Sequence, residues 1–587
     1  MVNFSKIIGA SVLATSSAAK FSTTVSEGHA VKILDDKRVH NWAFFPEQEE
    51  AHRGSKTDKT IELKSFFSTH GKLLGVGEKH DLVLTSVRNE PGSSQIFHHF
   101  NQMVHGVKVF GGDFMVTTGS HGGVINAHGQ PLDSARASHS AVESMTVSGI
   151  AAVKAAEAYL TNLAHTTRPI HIKTHETEAM WYNSKALDGE LGEVTLVQHI
   201  RGHANHPFPA FDIYINARTA EVMDFIDRSN MMSPFTSPVD GEIRVYDESL
   251  GDELVFDSTA TPTQTYPTSD AEENDLVDAT LEVKNFYQSI SGGDFITWRG
   301  YDSELKITYN LDLANAYFDG YEGIYFGTGF CVDDVIAHEW SHGYTDTVNG
   351  LVYRKESGAM NEAISDIFGE TIDILNNDIG VDDASILRTE YPTQCEDYYG
   401  DAKGTDDTLR WALGEGVCMT PDNCPQDGSL RDMYKPDCFQ DPDTIYSEYY
   451  YCGRQDNGGV HTNSGVLNRM YSVLVDGGVY ADPNSSSDLL AVKGLGLTKM
   501  TNLMWRATNM LTSSSQFADM AVALQTACST SIGGQIFVPD LYSGSTSPAV
   551  SGFSISQSDC DQVDLAVRGS GMDQTSCSKF MGNQTAV

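Results

Sequence analysis

The most informative segment of the chain reads His338-Glu339-Trp340-Ser341-His342. On an α-helix, side chains four positions apart project from one face, so both imidazoles can reach a single zinc ion with Glu339 at its open side. A segment of this type also arises by chance, and a solvent-facing helix that carries His and Glu is the alternative interpretation. A partner segment elsewhere in the chain must decide between the two.

Such a partner begins at Gly358 and reads Gly-Ala-Met-Asn-Glu-Ala-Ile-Ser-Asp-Ile-Phe-Gly. Its apolar spacing predicts an amphipathic helix that presents Glu362 as a third ligand, because a catalytic zinc ion takes three protein ligands and keeps one position for water. Asp366 lies one turn further along the same face, where it can accept the second N–H of a ligand histidine, and Asn361 can serve the other histidine. An ordinary surface helix would instead have its apolar face interrupted at the ligand positions.

The positions of the histidines support a metal-dependent site. Of the 20 histidines, 17 lie at or before His206, and the other three are His338, His342 and His461. His461 ends the segment Asp456-Asn-Gly-Gly-Val-His. A structural role is the commoner explanation for a single histidine, but this region has imidazoles only in the two motifs. We therefore interpret all three as functional.

Charge is distributed unevenly along the 587 residues. The 39 Lys and Arg against 79 Asp and Glu give a net charge of -40, which excludes nucleic acid and anionic membranes as expected partners. Residues 1–230 have a net charge of -3 and the remaining 357 have -37, while all nine cysteines lie at or beyond Cys331. We interpret the two parts as having different roles, with compositional drift between two domains as the alternative.

The first residues have the pattern of an export signal. Lys6 precedes a short apolar stretch at 7–14, and small residues follow at 17–19. Disulfides stabilise loops rich in Pro, Asp and Gly in oxidising compartments, and four cysteines lie in such a region: Cys418, Cys424, Cys438 and Cys452. Nine is an odd number, so one thiol is expected to stay free or to pair between chains. The sequence thus predicts a secreted, disulfide-bonded protein.

The chain resembles the thermolysin family of zinc metallopeptidases. The resemblance rests on the two zinc motifs, on Asn315-Ala-Tyr-Phe and on Asp456-Asn-Gly-Gly-Val-His-Thr-Asn-Ser-Gly, which follow one another in the family's order and cover about 240–570. The first part resembles that family's propeptide: Phe97-His-His-Phe-Asn-Gln and Gly106-Val-Lys-Val-Phe-Gly-Gly-Asp are similar to the fungalysin/thermolysin propeptide signature. Segment 140–228 resembles the PepSY unit that follows it.

The resemblance implies an α+β fold. We expect a two-lobed catalytic domain, with a β-rich N-lobe, a helical C-lobe and zinc in the cleft, preceded by an α+β propeptide. The predicted segments are a signal peptide at 1–19, a fungalysin/thermolysin-type propeptide at 20–135, a PepSY-like unit at 136–230, a catalytic N-lobe with both zinc-binding helices at 235–378, a helical C-lobe with a disulfide-rich insertion at 379–572, and a tail at 573–587.

The resemblance also implies a role for each matching side chain. The zinc ligands would be His338, His342 and Glu362, and Glu339 would be the general base that activates water and protonates the leaving amine. Tyr353 and His461 would stabilise the oxyanion, and Asp456 would keep the His461 imidazole oriented and protonated. Five residues would bind substrate: Asn315 and Ala316 along the extended peptide, Arg431 at a carbonyl, and Val335 and Leu430 in an S1′ pocket for bulky apolar side chains.

Calcium is expected to be bound more weakly, or at fewer sites, than in the family. Asp334, Asp373 and Glu415 match calcium ligands, and Ca²⁺ prefers 6–8 oxygen ligands. Arg410 and Ala412 replace acidic ligands, and Arg410 would bring a positive charge to the site. Disulfides among the neighbouring cysteines, which include Cys395, are expected to restrain the loop instead.

The sequence therefore predicts a secreted zinc-dependent neutral endopeptidase, made as a self-processing zymogen. Its partners would be protein and peptide substrates and its own propeptide, acting as inhibitor and folding aid, and the protein would be a monomer. Two alternatives remain. A catalytically inactive zinc-binding or adhesion protein would be expected to have lost Glu339, Tyr353 or His461, and a zinc hydrolase of a non-peptide amide or ester would share the same residues.

Overall fold

The computed structural model describes residues 21–34, 42–45, 66–89, 95–164, 169–228, 243–376, 386–389, 408–417 and 429–577, with short breaks inside several of these ranges. The chain divides into two compact units. The first comprises residues 1–228 and 509–520, and the second comprises residues 229–508 and 521–587. The predicted signal peptide lies outside the described residues, as do the 229–242 stretch and most of the predicted tail.

An 11-stranded sheet dominates the first unit, in the order β1-β2-β3-β7-β6-β8-β9-β10-β11, with β5 paired to β6 and β4 to β5. Its neighbours are antiparallel except for β6 and β8. The strands are β1 (Phe21–Ser26), β2 (His29–Leu34), β3 (Ala43–Phe44), β4 (His80–Asn89), β5 (Ile96–Val104), β6 (Val107–Thr118), β7 (Val124–Gly129), β8 (Ile172–Asn183), β9 (Val194–Ala204), β10 (Phe211–Asn216) and β11 (Val222–Asp227).

Two helices accompany this sheet, α1 (His139–Glu143) and α2 (Gly149–Leu163). The Ser148 side chain caps α2 by accepting the Ala151 N–H. The buried alanine and leucine face of α2 then packs on apolar residues of β9 and β10, including Phe211. Helical spacing of small apolar residues thus explains why this segment covers the sheet.

The second unit combines a five-stranded sheet with a group of helices. The sheet order is β13-β12-β14-β16-β15, from β12 (Ile243–Asp247), β13 (Glu253–Asp257), β14 (Leu305–Leu311), β15 (Ala316–Phe318) and β16 (Gly323–Gly327). Two ribbons follow, β17 (Ala412–Leu413) with β18 (Arg431–Asp432), and β19 (Gly478–Ala481) with β20 (Leu489–Val492). The helices are α3 (Ala271–Ile290), α4 (Asp333–Val348), α5 (Lys355–Asn376), α6 (Asp456–Asn463), α7 (Gly465–Asp476), α8 (Leu497–Asn509), α9 (Phe517–Thr530) and α10 (Gln557–Ser570).

Helices α4 and α5 form the centre of the second unit, and every residue of α5 from 357 to 374 is buried. Asp333 and Asp334 lie in the first turn of α4, where carboxylates interact favourably with the helix dipole. Gly369 permits a close approach of the two helices, because a Cβ atom there would lie 2.8 Å from the Asp334 carbonyl oxygen. The sequence predicted a helix at each of the two zinc motifs, and the α+β fold is confirmed.

The disulfides differ from the expected cluster. Cys452 is bonded to Cys577, 125 residues away, and Cys528 is bonded to Cys560. Cys452 therefore pairs outside the predicted cluster of cysteines. Cys438 is also disulfide-bonded, and Cys331 is a free thiol. Three other cysteines of the predicted cluster lie outside the described residues: Cys395, Cys418 and Cys424.

No helix in the described ranges combines the length and the apolar character that spanning a bilayer requires.

Candidate metal centre and substrate cleft

The two histidines of the first motif converge on one point. Their Nε2 atoms lie 3.0 Å apart, and both side chains are buried on α4. Two ring nitrogens this close cannot both carry a proton towards each other, so the arrangement fits a shared cation. Helical spacing explains the convergence, because His338 and His342 are one turn apart on the same face.

Glu362 meets the same point from α5. Its Oε2 lies 3.7 Å from His338 Nε2, and its Oε1 lies 3.5 Å from His342 Nε2. None of the described residues donates a hydrogen bond to Oε2, although the side chain is fully buried. Burial opposes ionisation of Glu362, but the charges of His461 and the two motif histidines outweigh it and lower its pKa to about 2. Two imidazoles and an ionised carboxylate are a donor set that suits zinc.

The other nitrogen of each ligand ring faces an acceptor. His338 Nδ1 lies 2.8 Å from Asp366 Oδ1, and His342 Nδ1 lies 2.8 Å from Asn361 Oδ1. These contacts favour a proton on Nδ1 and leave the Nε2 lone pair free for a metal. Ser365 Oγ, at 3.0 Å from His342 Nδ1, adds a contact that the sequence reasoning missed.

Asp366 is held in turn by two donors. Arg431 Nε and Nη2 donate to its two oxygens at 3.0 and 2.7 Å, and Asn468 Nδ2 donates to Oδ2 at 2.7 Å. Burial opposes ionisation, yet Arg431 and His338 keep the pKa of Asp366 well below its ordinary value. Asn468 lies on α7, and nothing in its local sequence marked it as part of the site.

Glu339 lies between α4 and the edge strand β15. Its Oε2 accepts the Phe318 N–H at 2.7 Å, so the carboxylate is fixed at the cleft. Burial raises its pKa to about 7, with the charge of Glu362 adding to the effect and that of His338 opposing it. A carboxyl group with a pKa near neutrality is suited to accept and return a proton.

Tyr353 and His461 both contact the Glu362 carboxylate. The Tyr353 hydroxyl donates to Glu362 Oε1, and the hydroxyl oxygen lies 3.2 Å from His461 Nε2. His461 Nε2 also lies 3.5 Å from Glu362 Oε2. His461 Nδ1 lies 2.6 Å from Asp456 Oδ1, and its backbone N–H donates to Oδ2 at 2.9 Å. Burial would lower the His461 pKa, but Glu362 and Asp456 raise it to about 9, so the ring is protonated at neutral pH.

The turn between Asp456 and His461 needs glycine. Residues 456–459 all have positive φ, and Gly458 and Gly459 have φ of 98° and 81°. A Cβ atom at Gly458 would lie 2.8 Å from the Lys355 side chain, and one at Gly459 would lie 2.8 Å from Tyr451. The left-handed turn is what brings the Asp456 carboxylate back to the imidazole.

A cleft beside the metal centre collects all five of the predicted substrate-binding residues. Its walls include Asn315 and Ala316 from the edge of the sheet, Val335 from α4, and Leu430 and Arg431 from the ribbon. Two further apolar residues line it and were missed: Phe330 and Leu413. Both lie outside periodic segments, so no sequence pattern distinguished them.

A second cluster consists of carboxylates from α4, from α5 and from the loop after β17. Ligand atoms of Asp334, Glu370 and Glu415 lie within 4.8 Å of one another, and the charge of Asp373 acts on both glutamates. Burial raises the pKa of Asp334 to about 6. Burial and the neighbouring acids raise the pKa of Glu370 and Glu415 well above the ordinary value. Sequence reasoning identified three of these four acids but not Glu370.

The expectation that Arg410 opposes a cation in this cluster was wrong. Its Nε and Nη2 donate to the two oxygens of Asp476 at 2.7 Å each, so its charge is matched elsewhere. Asp476, the last residue of α7, is a buried carboxylate that accepts hydrogen bonds from both Arg410 and the neighbouring Trp411. Arg410 therefore offers no oxygen ligand to this cluster, and its positive charge is matched by Asp476.

Comparison with known proteins places three family profiles along the chain. A profile described as the fungalysin/thermolysin propeptide motif matches residues 86–131. A profile for the catalytic domain of thermolysin metallopeptidases matches residues 222–346, and one for the alpha-helical domain of the same peptidases matches residues 349–536.

Individual relatives are similar over part of their length. A zinc metalloproteinase of Renibacterium salmoninarum is 32% identical over 234 residues, which are 38% of this chain and 35% of the relative. The thermostable neutral protease of Geobacillus stearothermophilus and a thermolysin of Alicyclobacillus acidocaldarius are each 32% identical over 281 residues, 46% of this chain and 41% of the relative. The matches thus span about two fifths of the length of these curated relatives.

Proposed function

The chain belongs to the thermolysin family of metallopeptidases, and from this premise we propose that it is a zinc-dependent neutral endopeptidase made as a zymogen. The observation that carries the proposal is the convergence of His338, His342 and Glu362 on one point, with Glu339 beside it. Proteins with the names zinc metalloproteinase, neutral protease and thermolysin are its relatives. A bound zinc ion would act as a Lewis acid on the scissile carbonyl and on water.

The protein's own residues would then carry the protons and the developing charge. Glu339, with a pKa near 7, would accept a proton from the attacking water and pass it to the leaving amine. His461, protonated at neutral pH, and the Tyr353 hydroxyl would donate to the oxyanion, and Asp456 would keep the imidazole charged.

We propose that the substrate binds as an extended strand along β15. In the described part of the sheet, β15 pairs only with β16. On its other edge the Phe318 N–H donates to Glu339, so the peptide would pair with the backbone of Ala316. Asn315 and Ala316 lie at that edge and Arg431 lies across the cleft. An apolar S1′ pocket lined by Val335, Leu430, Phe330 and Leu413 favours a bulky apolar residue after the scissile bond.

A calcium ion in the carboxylate cluster is a further part of the proposal. Carboxylate oxygens of Asp334, Glu370 and Glu415, close together and buried, suit a hard divalent cation. Ala412 offers no side-chain oxygen and Arg410 bonds to Asp476, which favours one ion over a pair. This keeps the expectation of fewer calcium sites and adds Glu370 as a ligand.

The predictions about the propeptide, secretion and self-processing remain proposals. The region before residue 230 would act as inhibitor and folding aid, secretion would follow from the segment at 1–19, and self-processing would release a monomeric enzyme. The propeptide motif at 86–131 and the change in net charge from -3 before residue 231 to -37 after it support a removable first part.

Digestion of casein by the expressed full chain tests the proposal. We expect peptide-bond cleavage that appears with processing, stops with a zinc chelator and returns when zinc is restored. Hydrolysis of small esters or amides with no casein cleavage would instead support the non-peptide hydrolase. About one zinc ion per chain with neither activity would support the inactive zinc-binding protein.

A further inference from the structure

A two-stranded ribbon forms one wall of the cleft. Its strands β17 and β18 pair with Ala412 opposite Asp432 and Leu413 opposite Arg431. Leu413, Leu430 and Arg431 line the cleft, and the Leu430 N–H donates to the Leu413 carbonyl at 2.7 Å. The position of the ribbon therefore sets the distance of these apolar side chains and of the Arg431 guanidinium from the zinc-binding residues.

Arg388 bonds to both strands of the ribbon. Its Nη1 donates to the Arg410 carbonyl at 3.0 Å and to Asp432 Oδ1 at 2.9 Å, and its Nη2 donates to Asp432 Oδ2 at 3.0 Å. Asp432 Oδ1 also accepts the backbone N–H groups of Tyr434 and Lys435. One guanidinium thus ties the backbone of Arg410, two residues before β17, to the Asp432 side chain of β18.

Arg410 anchors the same ribbon to α7. Both of its bonded nitrogens donate to Asp476, the last residue of that helix, and Trp411 Nε1 donates to Asp476 Oδ2 at 2.8 Å. Asn468 on the same helix donates to Asp366, the acid that faces a zinc-binding imidazole. The helix that holds the ribbon therefore also holds part of the metal centre.

Both ion pairs are buried and their charges match. Each of the four side chains is at most 4% exposed: Arg388, Arg410, Asp432 and Asp476. A bidentate Arg–carboxylate pair fixes orientation as well as distance. Because desolvation offsets much of the Coulomb attraction, such pairs are poor stabilisers compared with apolar residues of the same volume, and they are better suited to specifying one geometry.

We propose that the pairs Arg388–Asp432 and Arg410–Asp476 are positioning devices that set the width of the S1′ pocket and hence its selectivity for a bulky apolar residue. The inference rests on the proposed peptidase function. Among the described residues, those that line the cleft include none of these four. An effect of the pairs on selectivity must therefore pass through the ribbon.

The Arg410→Lys variant tests the inference, because lysine keeps the charge and loses the bidentate contact. The substrates are blocked peptides that differ only in the residue after the scissile bond, which is Phe, Leu or Ala. We expect kcat/KM for the Phe and Leu peptides to fall about tenfold relative to the Ala peptide, mainly through KM. The kcat for the Ala peptide should stay within about twofold, since the zinc ligands and Glu339 are untouched.

Arg568→Lys is the matched control, because Arg568 pairs with Asp482 in the same unit and neither residue lines the cleft. Its selectivity should equal that of the parent enzyme. If Arg410→Lys shows the same Phe-to-Ala ratio as this control, the inference is overturned. If the parent cleaves none of the peptides, the proposed function fails instead.

If the Arg410→Lys variant does not fold, a double variant without the two charges provides a second test. The double variant Arg410→Gln with Asp476→Asn replaces the ion pair with two amides that can still bond to each other. Compared with Arg410→Gln alone, it should recover at least half of the lost Phe-to-Ala ratio, because the two positions act as one unit. Equal ratios in the single and double variants, with zinc content retained in both, would contradict the inference.

Discussion

Helices α4 and α5 carry two clusters of buried ionisable side chains that behave in opposite ways. In the zinc cluster, three histidines surround Glu362 and lower its pKa to about 2 despite burial. In the carboxylate cluster, burial raises the pKa of Asp334 to about 6, and burial with negative neighbours raises that of Glu370 well above its ordinary value. Burial opposes ionisation of the carboxyl groups in both clusters, so the sign of the neighbouring charges makes the difference.

The comparison shows what each cluster requires at neutral pH. The zinc cluster holds its carboxylate ionised through the neighbouring histidines, so Glu362 keeps its negative charge at neutral pH without a cation. The carboxylate cluster cannot stay fully ionised by itself, because Asp334, Glu370 and Glu415 repel one another in a dry environment. It must take up either protons or a cation.

The largest effect on peptidase activity is expected from changing Glu339. This acid lies in the zinc cluster but is not a zinc ligand. Glu339→Gln should lower peptidase activity by about 10²–10⁴-fold, because the general base is lost while every ligand remains. Zinc content should stay near one ion per chain, which metal analysis checks beside the activity assay. Activity within tenfold of the parent would show that Glu339 is not the base.

A smaller effect, on zinc affinity, is expected from changing Asp366. This residue orients the ligand His338 but is not itself a ligand. Asp366→Ala should weaken zinc binding by about 10–100-fold, since His338 loses the acceptor at 2.8 Å that orients it. Competition with a chelator of known affinity measures the change. Zinc affinity equal to that of the parent would mean that the ring is held by its packing alone.

The carboxylate cluster should make the calcium-free second unit less stable as the pH rises. Its carboxyl groups hold protons in the folded state that the unfolded chain has already released near pH 4. The contribution of this cluster to the free energy of unfolding is therefore largest at low pH and is lost as the pH rises through about 6 and above. Thermal unfolding at pH 5.5 and 8, at one fixed free zinc concentration, should show a shift of a few degrees that calcium reverses at pH 8.

Glu370→Gln sharpens this test, because it removes one of the mutually repelling charges without changing the size of the side chain. The variant should be less sensitive to both pH and calcium than the parent, by about half of the shift. Glu248→Gln, at an exposed position, is the matched control and should behave as the parent. Unchanged calcium sensitivity in Glu370→Gln would remove Glu370 from the proposed ligand set.

Local spacing carried the prediction of the zinc cluster. A four-residue interval on one helix places His338 and His342 together, and a second amphipathic helix supplies Glu362, so periodicity alone predicted both helices. The family resemblance added residues of the cleft such as Asn315 and Arg431, which no periodicity marks. The α+β fold was likewise implied by the family resemblance.

What the sequence did not reveal depends on contacts between distant segments. Asn468 reaches Asp366 from α7, and Glu370 becomes part of a cluster only because Glu415 comes from a loop. Arg410 was assigned to the wrong neighbours, since Asp476 is 66 residues away along the chain. Cysteine pairing is non-local in the same way, and Cys452 accordingly bonded outside the expected cluster.

The absence of a side chain at Gly369 restricts which substitutions the protein tolerates. A methyl group there would lie 2.8 Å from the Asp334 carbonyl and 3.6 Å from the His338 Cβ atom. Alanine is the mildest replacement for glycine inside a helix and usually favours helix formation. At this position it would instead push apart the two helices that supply both metal sites. Engineers who wish to vary the zinc and calcium affinities separately must therefore leave residue 369 as glycine and work on the side chains around it.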